Sequence, residues 1–326
     1  MDILNNAVIT YDCIKASVDV TEKELSDFSV EKGDILFQRS SETLEDVGRA
    51  NVYMDDKTAV FGGFVIRGKK KGEYDPQYFN YLLRSPFARK RIVPMGAGAQ
   101  HFNIGQEGLS KVNLHFANIK EQKKIGKMFS LLDERIATQN KIIERYESLI
   151  KGIAQNVAHN NKPNISLSEC LECSSSTLQE SDVCENGTYP VYGANGIVGY
   201  LDNYNTEKEA VYIIKDGSGV GAVSYVTGKC SATGTLNTLQ AKEGHSLQYL
   251  YYILKVFNFE PYKTGMAIPH IYFKDYGKAK IFCPPYQEQL RYAKMLSAID
   301  DKLLAEQNIL KNLSLLKQYL LRQMFI

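Results

Sequence analysis

The residues best suited to chemistry in this chain are six cysteines, five histidines and two short boxes rich in proline or glycine. Cys170 and Cys173 stand at metal-ligand spacing, with Cys184 as a third sulfur. No second close pair and no neighbouring histidine completes a tetrahedron. Cys13, Cys170, Cys173, Cys184, Cys230 and Cys283 are therefore expected as free thiols in a reducing compartment, with no metal. Cys283-Pro284-Pro285-Tyr286 has the outline of a methyl-transfer box. That chemistry needs Asn or Asp at the first position, to accept a hydrogen bond from the target amine, and a thiol accepts poorly. Gly217-Ser218-Gly219-Val220-Gly221 has the outline of a cofactor loop, which needs a helix directly behind it to meet a phosphate. Ala222–Val226 reads as a strand instead, so a hairpin turn is expected. With no Walker pattern, paired carboxylates or supported Ser/His/Asp grouping, no catalytic residue is assigned and the chain reads as a non-enzyme.

The elements that position these residues are organised by a repeat. Glu121, Gln122, Lys127, Met128, Ser130 and Asp133 recur without a gap as Glu288, Gln289, Lys294, Met295, Ser297 and Asp300, an offset of 167 residues. Each copy carries an unbroken alternation of four- and three-residue spacings. In the first it runs Ile125, Phe129, Leu132, Ile136, Gln139, Ile143, Tyr146, Ile150, Ile153, Val157. In the second it runs Tyr292, Leu296, Ile299, Leu303, Glu306, Leu310, Leu313, Lys317, Leu320, Met324. This is a coiled-coil seam, on helices of about 39 residues and about 58 Å at the helical rise. An internal two-fold repeat can set such helices antiparallel, which would bring Gln139 and Glu306 together as a polar layer fixing register.

The repeat extends upstream. Gly33–Phe37 and Ala59–Ile66 read as strands, Tyr78–Arg84 as a helix stopped by Ser85-Pro86, Gly96–Asn103 as a glycine-rich loop, and Lys111–Phe116 as a strand. The second half follows this order with Ala210–Ile214, Tyr249–Lys255, Tyr262–His270 and Lys278–Phe282. The expected division is thus 1–118 as a first β-rich domain, 119–160 as a first helix, 161–285 as a second β-rich domain and 286–326 as a second helix. The fold class is α+β. Met1 aligns near Leu178, so the first domain is expected to lack a counterpart of Ile165–Thr177.

Bulk composition narrows the partners. With 44% hydrophobic and 23% charged residues the chain is globular in type. A net charge of only +2 means that any nucleic-acid affinity comes from local clusters. No apolar run is long enough for a bilayer and no leader pattern opens the chain, so the expectation is a cytoplasmic protein.

Two β-rich domains, each followed by a long helix opening on Glu-Gln, resemble the specificity subunit of type I restriction–modification enzymes. Tyr189–Ile197 ahead of Gly199-Tyr200, Gly33–Leu36 and Pro284–Gln289 carry the same resemblance, which covers nearly the whole chain. It implies a DNA reader without catalysis, in which each domain recognises one half of a split target. It also implies that the helices form an antiparallel spacer and dock two methyltransferase subunits. S-adenosylmethionine, ATP and Mg would then belong to methyltransferase and restriction subunits, not to this chain. Two other readings stand beside it: a self-contained DNA-modifying enzyme, and a coiled-coil interaction protein with other ligands.

A DNA reader needs cations for phosphates and polar side chains for base edges. The first-domain candidates are Arg39, Ser40 and Ser41 after the strand, Arg49, and Gln100, His101 and Asn103 on the glycine-rich loop. Those of the second are Tyr192, Asn195, Lys215, Ser218, Thr235, Asn237 and His270, of which His270 is the repeat partner of Asn103.

Overall fold

The computed structural model describes residues 2–217, 219–265 and 267–325, so Ser218 lies outside the described residues. Both repeated stretches are continuous helices, Ile119–His159 and Tyr286–Gln323. Neither contains an internal proline. Asn118 starts the first by accepting the Lys120 and Glu121 N–H groups on its Oδ1. Pro284 and Pro285 precede the second. None of the twenty seam positions is exposed, so the heptad pattern marks the buried stripe of both helices. No described helix is long and apolar enough to cross a membrane.

The chain divides into two compact units, and neither is a simple chain half. One comprises Met1–Lys141 with Asn308–Ile326, the other Ile142–Gln307. In the first unit Lys317 pairs with Asp133, and Phe325 stacks on Phe129 at 5.9 Å. Going back along one helix thus goes forward along the other, and the segments run antiparallel. The second unit shows the same sense. Asn156 and Val157 share a cleft with Tyr292, while Glu147 and Lys151 share one with Leu303 and Gln307.

In the first unit, strand Ile35–Gln38 lies between Ala50–Val52 and Val65–Gly68, antiparallel to both. Helix Pro76–Arg84 is capped by Asp75, whose Oδ1 accepts the Tyr78 N–H at 2.7 Å, and opens on a proline. Its buried face carries Tyr78, Tyr81 and Leu82 onto Phe129 and Phe325. In the second unit the sheet order is Val223–Thr227, Glu209–Ile214, Leu236–Ala241, Leu171–Ser175, all antiparallel. Helix Leu247–Lys255, capped by Ser246, covers it.

Two expected strands come out differently. Ala59–Ile66 is broken at Gly62-Gly63 into Ala59–Val60 and Val65–Gly68, which join different sheets. Residues 111–116 form no strand, whereas Lys280–Ile281 pairs with Ile165–Ser166. An extended segment counts as a strand only where a partner offers its backbone, and no described strand pairs with 111–116.

The repeated Glu-Gln has a structural job. Gln122, 2% exposed, accepts the Asp75 N–H on Oε1 at 2.9 Å and donates Nε2 to the Ala117 carbonyl at 2.7 Å. Gln289, also 2% exposed, accepts the Ser246 N–H at 2.9 Å and donates to the Pro284 carbonyl at 2.8 Å. Each glutamine ties its long helix to the cap of its domain helix and to the chain leading in. About three turns further along each long helix, Tyr81 donates to Asp133 at 2.8 Å and Tyr252 to Asp300 at 2.6 Å. Burial, reinforced by the carboxylate, raises both phenols above their ordinary range, so they stay protonated donors at neutral pH.

The two carboxylates are not equivalent. Asp133 also holds Lys317, whereas the repeat partner of Lys317 is the buried Ile150. Asp300→Ala should therefore cost about 1–3 kcal/mol for one charge-assisted hydrogen bond. Asp133→Ala should cost up to about 1 kcal/mol more, the added ion pair being part-exposed. Urea denaturation of the two variants checks the order, and the reverse order would remove the role given to Lys317.

Candidate nucleic-acid interface

Part of the candidate set gathers at one corner of each unit, and equivalent hydrogen bonds build both corners. In the first unit Ala97 and Asn103 exchange backbone hydrogen bonds of 2.9 and 2.8 Å, closing the glycine-rich loop on itself. The Ile104 N–H donates to the Arg39 carbonyl at 2.9 Å, which seats the loop against the strand exit. Ser40–Ser41 then pairs with Phe102–Asn103, and the Ser40 hydroxyl donates to Asn103 Oδ1. In the second unit Thr264 and His270 exchange bonds of 2.9 and 2.8 Å, and the Ile271 N–H donates to the Lys215 carbonyl at 3.0 Å. Asp216 bridges His270 as Ser40 bridges Asn103.

Backbone geometry explains the glycines of this loop. Gly98 has φ +143°, and a Cβ there would lie 2.0 Å from the His101 carbonyl oxygen. Gly265, its repeat partner, has φ +89°, and a Cβ would lie 2.3 Å from the Ile268 carbonyl oxygen. No side chain fits inside either turn.

Of the first-domain candidates, Arg39, Gln100, His101 and Asn103 are exposed, while Ser40 and Ser41 are half-buried at the same corner. Arg49 stands apart. It bridges Asp46 at 2.7 Å and lines a cleft of about 520 Å³ with Arg84, Arg89 and Lys90. Arg84 and Arg89 donate inward to carbonyls of residues 6, 45, 47 and 50, so those two brace the loops around it.

In the second domain Lys215, Thr235, Tyr192 and His270 form one connected edge. The Lys215 N–H donates to the Thr235 carbonyl, Thr235 and Thr233 share a hydroxyl contact of 2.8 Å, and the Thr233 N–H donates to the Tyr192 carbonyl. Asn195 lies exposed at the tip of the hairpin joining Tyr189–Gly193 to Gly196–Leu201. Asn237 does not belong with them. It is 4% exposed, faces inward, and is spent on Ser175 at 3.0 Å and Tyr276 at 3.2 Å.

Sequence reasoning missed three neighbours of these corners. Phe64 is 76% exposed and its carbonyl accepts the Arg39 N–H at 2.8 Å. Tyr272 packs edge-on against His270 at 5.5 Å, and Lys274 lies over the Tyr272 ring. Exposed aromatics beside cations suit contact with sugar and base edges. Tyr272 follows His270 closely in sequence, which was the available signal for it, whereas Phe64 meets Arg39 only through the folded backbone and left no such signal.

The glycine-closed corner is thus built twice, once per unit. A family model described as type I restriction modification DNA specificity domain matches residues 1–148 and again 164–315. A type I specificity subunit of Mycoplasma genitalium is 25% identical over 277 residues, covering 78% of this chain and 71% of that protein. The MjaX specificity subunit of Methanocaldococcus jannaschii is 24% identical over 330 residues, covering 87% and 75%. A Haemophilus influenzae relative is 29% identical over 123 residues, a match that spans only 32% of that protein's length. Among solved structures, the specificity subunit of the type I system of M. genitalium superposes with a TM-score of 0.64 at 20% identity, over 92% of this chain and 84% of that one. The chain belongs to the type I restriction–modification DNA specificity family, with the family domain present in two copies.

Proposed function

We propose that each domain reads one half of a bipartite double-stranded DNA target, and that the long helices set the distance between the halves. The observation carrying this reading is the duplicated corner: Arg39 with Asn103, and Lys215 with His270, held by the same hydrogen bonds. Cations there meet phosphates, and the loop side chains are at hand for base edges. Helices of 41 and 38 residues are about 62 and 57 Å long. That exceeds one turn of B-DNA, roughly 34 Å, and leaves an unread gap between half-sites.

In this reading the chain catalyses nothing by itself. Leu290, Met295, Leu304, Leu315, Leu316 and Tyr319 are exposed apolar side chains along the second helix, available to two methyltransferase subunits. Those subunits would bring S-adenosylmethionine, and restriction subunits would bring ATP and Mg. Gln139 and Glu306, the mutually equivalent polar seam positions, would serve as the register-setting pair. The test is single-molecule methylation mapping in cells expressing the chain with its partner subunits. Deleting one heptad from one helix should shift or abolish the gap and leave both half-sites unchanged. A change in the bases recognised would sink the division of labour.

A further inference from the structure

The second unit holds a side-chain cluster that DNA reading does not use. The ligand-capable atoms of Cys170, His245 and Cys283 all lie within 4.8 Å of one another. They converge from three places: the end of helix Leu167–Cys170, the loop before helix Leu247–Lys255, and the segment after strand Lys280–Ile281. Both cysteines are buried, at 0% and 8% exposure. The imidazole is half-exposed, which leaves a way in from solvent. His245 Nδ1 lies 3.1 Å from the Glu243 carbonyl oxygen. A ring donating there carries its lone pair on Nε2, the arrangement by which a backbone carbonyl orients a metal-binding histidine.

We propose that Cys170, His245 and Cys283 bind a divalent cation of the zinc type, with solvent as the fourth ligand. Two thiolates and a neutral imidazole are a soft donor set, here gathered within 4.8 Å of one another. Binding releases the two thiol protons to solvent and leaves the site one net charge unit less negative per proton-free sulfur than bare thiolates would be alone. The ion would staple the junction at which the domain passes into the second long helix. Asn164 already grips Cys283 there, accepting its N–H and donating to its carbonyl, both at 2.8 Å. Ser246, next to His245, is held by Gln289.

The first unit closes the corresponding junction by other means. Under the repeat, His245 and Cys283 fall on Tyr74 and Phe116, and both of those rings pack on Phe79, at 5.1 and 5.2 Å. One copy uses an aromatic stack where the other places sulfur and imidazole. The other two cysteines singled out by spacing lie outside this cluster: burial pushes the Cys173 thiol up to about 11, and Cys184 is exposed.

The test uses the full-length chain, reduced and stripped of metal, titrated with Co(II) and then Zn(II). One equivalent of Co(II) should bind with a thiolate charge-transfer band and tetrahedral d–d bands, and Zn(II) should displace it. Cys283→Ser should abolish the band. His245→Ala, at a part-exposed position that leaves the fold intact by circular dichroism, should weaken binding by more than the roughly tenfold that loss of an outer-shell partner costs. Cys173→Ser and Cys184→Ser should bind as the parent does. Absence of the band in the parent, its survival in Cys283→Ser, unweakened binding in His245→Ala, loss of the band in Cys184→Ser, or a Cys170–Cys283 disulfide formed in place of metal uptake would each overturn the proposal.

Discussion

Gln289→Ala should destabilise the second unit by about 2–6 kcal/mol, because it strands two buried backbone groups at about 1–3 kcal/mol each. The Ser246 N–H and the Pro284 carbonyl both turn to this side chain, and Ser246, Pro284 and Gln289 are all buried, so water cannot easily take over. Gln122→Ala should do the same to the first unit through the Asp75 N–H and the Ala117 carbonyl. Gln289→Glu separates the two bonds: it keeps an acceptor for Ser246 and turns a second oxygen toward the Pro284 carbonyl. It should fall well below the parent despite its near-identical shape. Urea denaturation followed by circular dichroism reads these losses as a lower midpoint at unchanged slope. An unfolding free energy for Gln289→Ala within about 0.5 kcal/mol of the parent, the ordinary scatter of surface changes, would mean that the helix is held by its apolar seam alone.

What the sequence disclosed follows from the range of each interaction. The seam was legible in full, since Ile125 to Val157 and Tyr292 to Met324 depend only on helical period, and none of those positions is exposed. The Glu-Gln repeat was visible as a pattern, but its purpose was not. Gln122 bonds to Asp75, 47 residues back, and no local rule links them. Strand partners were equally hidden: 111–116 looks like Lys280–Ile281, yet only the latter meets a neighbouring edge. Asn237 read as a surface polar residue because composition does not show which face of a strand turns inward toward Tyr276. The cysteine spacing misdirected for the same reason, since Cys170 meets residues 75 and 113 positions away instead of Cys173. Loop corners fared best, because Gly98 and Gly265 impose a local turn that carries Asn103 and His270 with it.

That turn makes the corner glycines the positions where a single methyl group should matter most to DNA reading. An alanine at 98 or 265 meets a carbonyl oxygen at 2.0 or 2.3 Å, and at a positive φ that an L-residue rarely adopts. The neighbour cannot yield, since it belongs to the same closed loop, so the 97–103 or 264–270 bonds must open. The strain costs on the order of 1–3 kcal/mol and falls on exposed loop backbone, so the domain core should survive with its circular dichroism unchanged. Recognition should not survive. Asn103 and Ser40 would lose their mutual placement in one variant, and His270 and Lys215 theirs in the other. If each corner carries the readout of one or more base pairs, at about 1–3 kcal/mol apiece, affinity for the full target should drop by roughly tenfold or more. The loss is also directional. Methylation mapping should show Gly98→Ala relaxing the half-site read by the first domain and Gly265→Ala relaxing the other, with the gap between them preserved. A Gly98→Ala chain that still specified both half-sites would place base reading elsewhere, with the Phe64 rim and the Asn195 hairpin as the next surfaces to test.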